Sequence, residues 1–266
     1  MDPLITVGTG LTVLGSKDLL LKILGPTADY IGGGLKGAVE KCNVNLNRVF
    51  ERAKHKLGSR LDEEGAVNPR VLKHVFDDGR FADDDVVVEY YGGLLAGSKS
   101  GDGKGDQALP YLAMVQRMSV YQLRLHFLLY YEILHLHQGS RVNLGLGNEV
   151  PNLSLVIPHN MFFDALELKS RAEYEHIMPH SVVGLSHEGL VSNYRYGNLE
   201  GQHKELPGAP DNGILLAPSF LGAELFMWAL GIEAPSGHQF FGINIHKVEK
   251  VIPIHGSAFA KLAKVG

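Results

Sequence analysis

The stretch SVYQLRLHFLLYYEILHLHQ, residues 119–138, decides how the rest of the chain is interpreted. Ser119 and Gln122 have the spacing of a capping box, in which each side chain satisfies a backbone N–H group at the start of a helix. The residues that follow are apolar on nearly every side of a helix. A helix that is apolar all round is normally buried at the centre of a fold. The stretch therefore predicts a central helix.

Several polar side chains interrupt this apolar helix. At helical spacing they form two stripes, one of Tyr121, Arg124, Tyr131 and His135, and another of His126, Tyr130 and His137. An arginine among so many apolar residues must be paired, and the acidic residues 83–89 are the expected source of its partner. Two interpretations remain open, internal pairing that stabilises the fold or a polar pocket for a ligand or partner. The candidate residues for such a pocket are Tyr121, Arg124, His126, Tyr131 and His135.

The chain before this helix has the pattern of further helices. Apolar residues recur at steps of three and four over residues 35–57, which predicts one long amphipathic helix ending near Gly58. Asn68-Pro69 is a typical helix start, and Asp77-Asp78-Gly79 is a typical end. Asp83 is expected to cap the next helix. The glycine-rich stretch GSKSGDGKGD after that helix is expected to form a flexible polar loop.

After Gly139 the pattern changes to shorter elements broken by glycine and proline. Two helices are expected around residues 162–170 and 173–188, followed by strands in GLVSNYRYGN and ILLAP and by a helix capped by Ser219. The tail HQFFGINIHKVEKVIPIHG alternates enough to predict one or two strands. The fold class is therefore expected to be α+β. It has a mainly α-helical N-terminal domain, residues 1–140, and a smaller winged-helix-like α+β domain, residues 141–266.

The charge of the winged-helix-like segment argues against DNA binding. Residues 171–231 contain three Lys or Arg residues and seven Asp or Glu residues. A DNA-reading surface needs basic residues that contact phosphates. We therefore expect a module for packing and no DNA partner.

Composition indicates a folded protein of the cytoplasm. Hydrophobic residues make up 45% of the chain, the net charge is −4, and the single Cys42 cannot form an internal disulfide. The N-terminal apolar run, residues 3–15, lacks the features of a signal peptide and is shorter than a bilayer-spanning helix. Residues 26–60 are basic and residues 61–106 are acidic. Either the two faces complement each other, or the basic residues form a strip for phosphate or anionic lipid.

The sequence has none of the common motifs of enzyme sites. A dinucleotide-binding GxGxxG that starts at Gly8 would need a third glycine at the position of Val13. The thirteen histidines do not form HExxH, and no GxSxG is present. We therefore expect no cofactor and no resident metal ion, although distant histidines and carboxylates can assemble a site that one sequence does not reveal.

Three long segments resemble the Abi-alpha (abortive infection alpha) family of bacterial anti-phage proteins. They are LGPTADYIGGGLKGAVEKCNVNLNRVFERA, NPRVLKHVFDDGRFADDDVVVEYYGGLLAGS and LAMVQRMSVYQLRLHFLLYYEIL. VVGLSHEGLVSNYRYG and ILLAPSFLGAELFMWALG are similar to elements that often follow such domains, so the resemblance covers residues 24–231. It implies a role in phage resistance by harming or arresting an infected cell, and it supplies no catalytic residues.

Three hypotheses follow from the sequence. The first is a non-enzymatic sensor or effector that binds a partner protein, a second copy of itself, or a membrane surface through residues 1–24 and the basic helix 36–60. In that case the protein is cytoplasmic and peripheral to the inner membrane when active. The second is a cytosolic nuclease or nucleotide-acting enzyme with a site near Arg124 and His126. The third is a regulatory subunit of a defence system.

Overall fold

The computed structural model of the chain describes residues 22–23, 44–146, 153–199, 209–256 and 258–260. Helices and antiparallel strands are mixed in these residues, which confirms the α+β class. The chain forms two compact units. Unit 1 comprises Met1–Arg117 and Trp228–Ala234, and unit 2 comprises Met118–Met227 and Pro235–Gly266. The predicted division at residue 140 differs from this one, because the central helix packs with elements that follow it.

Unit 1 is mainly helical. Among the described residues, residues 22–23 are helical, and further helices are α1 (Val44–Leu57), α2 (Pro69–Gly79), α3 (Asp85–Gly97) and α4 (Leu109–Arg117). The sequence did not predict α4. A 3₁₀ turn, Gly58–Asp62, follows α1, and two short strands, β1 (Ala66–Val67) and β2 (Lys99–Ser100), pair antiparallel. The residues before Val44 that belong to the predicted long helix, Cys42 among them, lie outside the described residues.

Helix α1 packs closely along α3. Leu46, Val49, Ala53 and Leu57 are buried, as the apolar spacing predicted for this part of the helix. Gly92 on α3 makes the close approach possible, because a Cβ atom there would lie 2.7 Å from Cβ of Arg52. The core between the two helices is thus defined by one apolar stripe and one glycine.

The predicted helix starts are confirmed at one position and corrected at another. The Asn68 side chain accepts a hydrogen bond from the N–H of Arg70, and Pro69 occupies the first turn of α2. For α3 the capping residue is Asp84 instead of Asp83, since Asp84 Oδ1 accepts from the N–H of Val86 at 2.9 Å. Asp83 is used differently, because its carbonyl oxygen accepts from Nη1 of Arg48 at 3.1 Å.

Unit 2 surrounds the central helix α5 (Val120–His137). The predicted capping box of Ser119 and Gln122 is present, and most of the helix is buried. Around it are α6 (His159–Ala165), α7 (Arg171–His187) and α8 (Phe220–Ala229). The last two residues of α8, Trp228 and Ala229, belong to unit 1. The strands β3 (Leu155–Ile157), β4 (Val191–Asn198), β5 (Asn212–Pro218) and β6 (Phe259–Ala260) form an antiparallel sheet in the order β4-β5-β3-β6.

The prediction of strands in residues 238–256 is wrong. The chain instead forms two 3₁₀ helices, Gly237–Gly242 and Ile245–Lys247. Phe240 and Phe241 are both buried, whereas an alternating strand would point them to opposite faces. Side chains of Ser236 and Asn244 cap the two turns and favour helical geometry locally. A strand, β6, forms only after this tail.

None of the helices in the described part of the chain is both long enough and apolar enough to cross a membrane.

Candidate functional site

The five predicted pocket residues on α5 lie at different depths. Arg124, His126 and Tyr131 are buried, while Tyr121 and His135 are partly or largely exposed. Tyr131 and His135 are neighbours, with ring centroids 6.4 Å apart. Arg124 and His126 contact other elements, α6 with its following residues and α8.

Arg124 is paired, but not with the acidic stretch that the sequence suggested. Its Nη1 atom donates to the carbonyl oxygen of Ala165 at 3.1 Å and lies 2.8 Å from Oε1 of Glu167. Both partners lie at the C-terminal end of α6. Glu167 has a φ of 55°, which is a strained conformation for a residue other than glycine. The partner was not predictable, because the contact joins residues about forty positions apart that meet only in the folded chain.

His126 is completely buried and bound to backbone. Its Nε2 atom lies 3.1 Å from the carbonyl oxygen of Gly222 on α8, so Nε2 carries the donated proton. Burial lowers the pKa of His126 to about 3. The imidazole is therefore neutral at physiological pH, and its Nε2–H group is used within the fold.

Tyr130 links α5 to the ends of two other elements. Its hydroxyl group donates to the carbonyl oxygen of Leu190 at 2.6 Å and accepts from the N–H of Ser219 at 2.8 Å. Gly222 allows this position, because a Cβ atom there would lie 2.0 Å from the Tyr130 hydroxyl oxygen. Burial raises the pKa of Tyr130, so the phenol stays protonated.

Glu132 is a buried acid that the sequence interpretation did not single out. It is 3% exposed, its Oε2 lies 3.8 Å from Nδ1 of His135, and it accepts a hydrogen bond from the N–H of Ala258. Burial raises the pKa of Glu132, and the neighbouring His135 and Lys250 partly oppose that shift. The Lys250 ammonium also lies 5.4 Å from the ring centroid of Tyr131. An acidic residue in so apolar a helix was a usable signal, by the same argument that selected Arg124.

The basic face of α1 is largely compensated within unit 1. Glu89 on α3 is fully buried between Lys56, which is hydrogen-bonded to it, and Arg52, whose Nε lies 3.2 Å from Oε2 without hydrogen-bond alignment. Arg48 pairs with Asp85 at the exposed end of the same interface. For the described residues, these ion pairs match the interpretation in which the basic residues of segment 26–60 and the acidic residues of segment 61–106 complement each other.

A cleft of about 370 Å³ lies in unit 1, and its lining includes none of the predicted pocket residues. Two segments line it, residues 97–108 and residues 228–234. Trp228, the single tryptophan of the chain, lies against Gly97, where a Cβ atom would come within 2.8 Å of the indole ring. Charged and polar side chains from both segments complete the lining, namely Ser98, Ser100, Asp102, Lys104, Gln107 and Glu233.

The glycine-rich loop beside this cleft is held in place by many contacts. Lys99 is 6% exposed, and its Nζ donates to the carbonyl oxygens of Arg60, Leu61 and Glu63 at 2.8, 3.1 and 2.7 Å. Asn68 Nδ2 donates to the carbonyl oxygen of Lys104 at 2.9 Å. The prediction of a flexible polar loop is therefore corrected in part, since the segment is polar but begins as strand β2, which pairs with β1, and is bonded to Asn68 before α2. Sequence composition showed its polarity but not these long-range contacts.

The described residues contain no group of three or more His, Cys, Asp or Glu side chains arranged to hold a metal ion. Comparison of the chain with protein-family models, with curated proteins and with solved structures gives no match.

Proposed function

We propose that the protein acts in phage resistance as a non-enzymatic sensor or effector of the abortive-infection type, and that it works by binding. The link to phage resistance rests on the resemblance of residues 24–231 to the Abi-alpha family. The non-enzymatic part is supported by one observation, the internal use of the polar groups on the central helix. Arg124, His126 and Tyr130 each bond to backbone atoms of unit 2.

Those bonds favour a structural role for the helix over catalysis. A general base must reach a substrate and have a pKa near the working pH. His126 is fully buried, its Nε2–H is directed to Gly222, and its pKa is about 3. Arg124 is held at the end of α6 by a carbonyl oxygen and a carboxylate. The helix therefore supports the fold on which binding surfaces are carried.

We infer that the binding partner is a protein or a second copy of this chain. The alternative is an anionic membrane surface contacted by residues 1–24 and the basic helix 36–60. In the described part of that helix, Arg48, Arg52 and Lys56 are paired with carboxylates of α3. This pairing leaves less positive charge for lipid headgroups, so it favours the protein partner. Residues 1–21 and 24–43 lie outside the described residues.

The winged-helix-like interpretation of the C-terminal part is retained as a proposal. It is supported by the succession of helix α7 and the antiparallel hairpin β4–β5. With three basic and seven acidic residues in residues 171–231, the module is proposed to serve packing or protein binding instead of DNA binding.

A phage-challenge assay tests the defence role. Cells that express the protein should protect the culture at a low ratio of phage to cells, whereas infected cells should die or stop growing at a high ratio. Plaque counts equal to those of cells with an empty vector, over a broad phage panel, would overturn the proposal. Survival of the infected cells themselves would exclude the abortive mode.

Two substitutions at one position separate the binding role from the enzymatic alternative. In His126→Gln the side-chain amide can still donate to the Gly222 carbonyl oxygen, so stability and defence should both be kept. In His126→Ala the bond is lost, and both should fall together. A catalytic His126 predicts a different outcome, in which His126→Gln has an unchanged melting temperature and no defence.

A further inference from the structure

We propose that the cleft of unit 1 binds a small zwitterion of the size and chemistry of a free amino acid. This inference does not depend on the role in phage defence. It rests on four features of the cleft: its size, its rigid construction, the opposite charges on its lining, and its apolar indole.

The size of the cleft suits a small metabolite. Its volume of about 370 Å³ lies at the lower end of the range of small-molecule sites, ~300–1,000 Å³. Nucleoside polyphosphates are larger and carry several negative charges, and the lining includes the two carboxylates of Asp102 and Glu233. A small ligand without excess negative charge is therefore favoured.

The lining is held in position by the protein itself. Lys99 fixes the start of residues 98–107 through three carbonyl oxygens, and Asn68 holds the carbonyl oxygen of Lys104. Gly103 has a φ of 64° and lies against Ala66. A loop ordered before the ligand arrives loses less conformational entropy on binding. The lining of the cleft is therefore preorganised for binding.

Both signs of charge are available in the cleft. The Lys104 ammonium interacts electrostatically with the Asp102 carboxylate, but it makes no hydrogen bond or close ion pair with any residue in the described part of the chain, so it can receive a ligand carboxylate. Asp102 Oδ1 is oriented by the hydroxyl group of Ser100 at 3.2 Å and by the N–H of Lys104 at 3.0 Å. The hydrogen bond from that N–H lowers the pKa of Asp102, which keeps the carboxylate ionised to receive an ammonium group.

The second lining segment supplies another carboxylate and the apolar contact. Arg60 Nη1 donates to Oε2 of Glu233 at 3.1 Å and holds this side chain at the cleft. Trp228 and Ala108 provide apolar surface for the remainder of a small ligand. Ala234, which also lines the cleft, has a φ of 41°, and strain of this kind in residues other than glycine concentrates at functional sites.

Because Trp228 is the single tryptophan and lines the cleft, tryptophan fluorescence reports on the surroundings of this one side chain. The purified full-length protein is titrated with each of the free L-amino acids except tryptophan and tyrosine, which fluoresce themselves, up to about 10 mM, which detects affinities in the millimolar range. At least one should change the fluorescence saturably. The strongest binder is then compared with the amine and the carboxylic acid that each lack one of its charges, and both should bind at least about tenfold more weakly.

Substitutions assign the binding to this cleft. Lys104→Gln and Asp102→Asn should each weaken it at least about tenfold. Lys54→Gln is the matched control, because it removes the same charge from a half-exposed side chain that pairs with Glu51 outside the cleft. This variant should bind the amino acid as tightly as the wild type does. Melting temperatures of all three should match the wild type, since the altered side chains are exposed.

Three results would overturn the inference. They are no saturable response to any amino acid, binding of the amine or acid alone as tight as that of the zwitterion, and equal weakening by Lys104→Gln and Lys54→Gln. The titration uses no phage and no cells, so a failure of the proposed defence role leaves its outcome unchanged.

Discussion

Tyr130 and Tyr131 are neighbours on α5, but their hydroxyl groups have different surroundings. The Tyr130 hydroxyl bonds to Leu190 and Ser219, whereas the Tyr131 hydroxyl makes no hydrogen bond with any described residue. Tyr130→Phe leaves the buried carbonyl oxygen of Leu190 and the partly buried N–H group of Ser219 without this partner, so we expect a loss of ~1–3 kcal/mol of stability. Tyr131→Phe is the matched control and should change stability by less than ~0.5 kcal/mol. Urea unfolding followed by circular dichroism measures both, and equal losses would contradict the assignment.

His126 makes stability depend on pH in a defined direction. Its pKa is about 3 in the folded chain, against 6.5 for an unperturbed histidine, so the unfolded chain binds the proton more readily. Its contribution is complete above the unfolded pKa and is lost progressively as the pH falls from 6.5 towards 3. Burial lowers the pKa values of His137 and His159 as well, which acts in the same direction. The raised pKa of Glu132 acts in the opposite direction.

We therefore expect the free energy of unfolding to decrease between about pH 7.5 and pH 5, and to decrease less in His126→Gln. Chemical unfolding at several pH values measures both curves. Parallel curves for the wild type and the variant would show that another group causes the dependence.

At the scale of residues, the sequence predicted which side chains on α5 need hydrogen-bond or ion-pair partners, but it did not identify the partner residues. Arg124 in an apolar helix must be paired, and it is. Its partners, Ala165 and Glu167, became neighbours only through the packing of α6 on α5. Sequence spacing contains no information about such a contact.

At the scale of elements, the N-terminus of α3 offers a direct test of capping. Asp84 accepts from the N–H of Val86, while the adjacent Asp83 contributes its carbonyl oxygen to Arg48. Asp84→Ala should lower stability by ~1 kcal/mol, since helix caps contribute about that much. Asp83→Ala is the matched control, because it also replaces aspartate by alanine but keeps the hydrogen bond from Arg48 to the backbone carbonyl oxygen. It should therefore lower stability clearly less. Thermal unfolding of the two variants distinguishes them, and a larger effect of Asp83→Ala would restore the original prediction.

Elements with a strong local signal were predicted well, and the others were not. Capping residues and regular apolar spacing located α2 and α5, because these signals act within a few residues of the helix. The tail after Pro235 was misread, since its alternating pattern competed with local caps at Ser236 and Asn244 and with the burial of two adjacent phenylalanines. The pairing of β1 with β2 depends on residues far apart in sequence, and no local pattern indicates it.

At the scale of the whole molecule, unit 1 depends on a segment from near the other end of the chain. A Cβ atom on Gly93 of α3 would lie 2.0 Å from the carbonyl oxygen of Ala229, so the two backbones are in direct contact. Gly93→Ala must displace one of them, and we expect a loss of more than ~2 kcal/mol. Gly101→Ala, where nothing lies within 4 Å, is the matched control and should be nearly neutral. Differential scanning calorimetry would show a lower transition for the first variant, and an unchanged one would contradict the packing.

The cleft illustrates why the candidate site was only partly predictable. The sequence indicated a polar loop in residues 97–106 but had no means of placing Trp228 and Glu233 beside it. Of the predicted site residues on α5, Arg124 and His126 are bonded within the fold. Polar residues in an apolar helix are conspicuous in sequence, whereas a cleft made from two distant segments is not.

The late arrival of residues 228–234 has a consequence for synthesis on the ribosome. Helices α1 to α4 of unit 1 leave the exit tunnel while this segment has yet to be translated. Until it arrives, the face of α3 around Gly93 and Gly97 lacks its partner, and the nascent helices depend on protection from aggregation. A chain that stops before residue 228, through a premature stop codon or a stalled ribosome, would leave unit 1 incomplete and open to proteases.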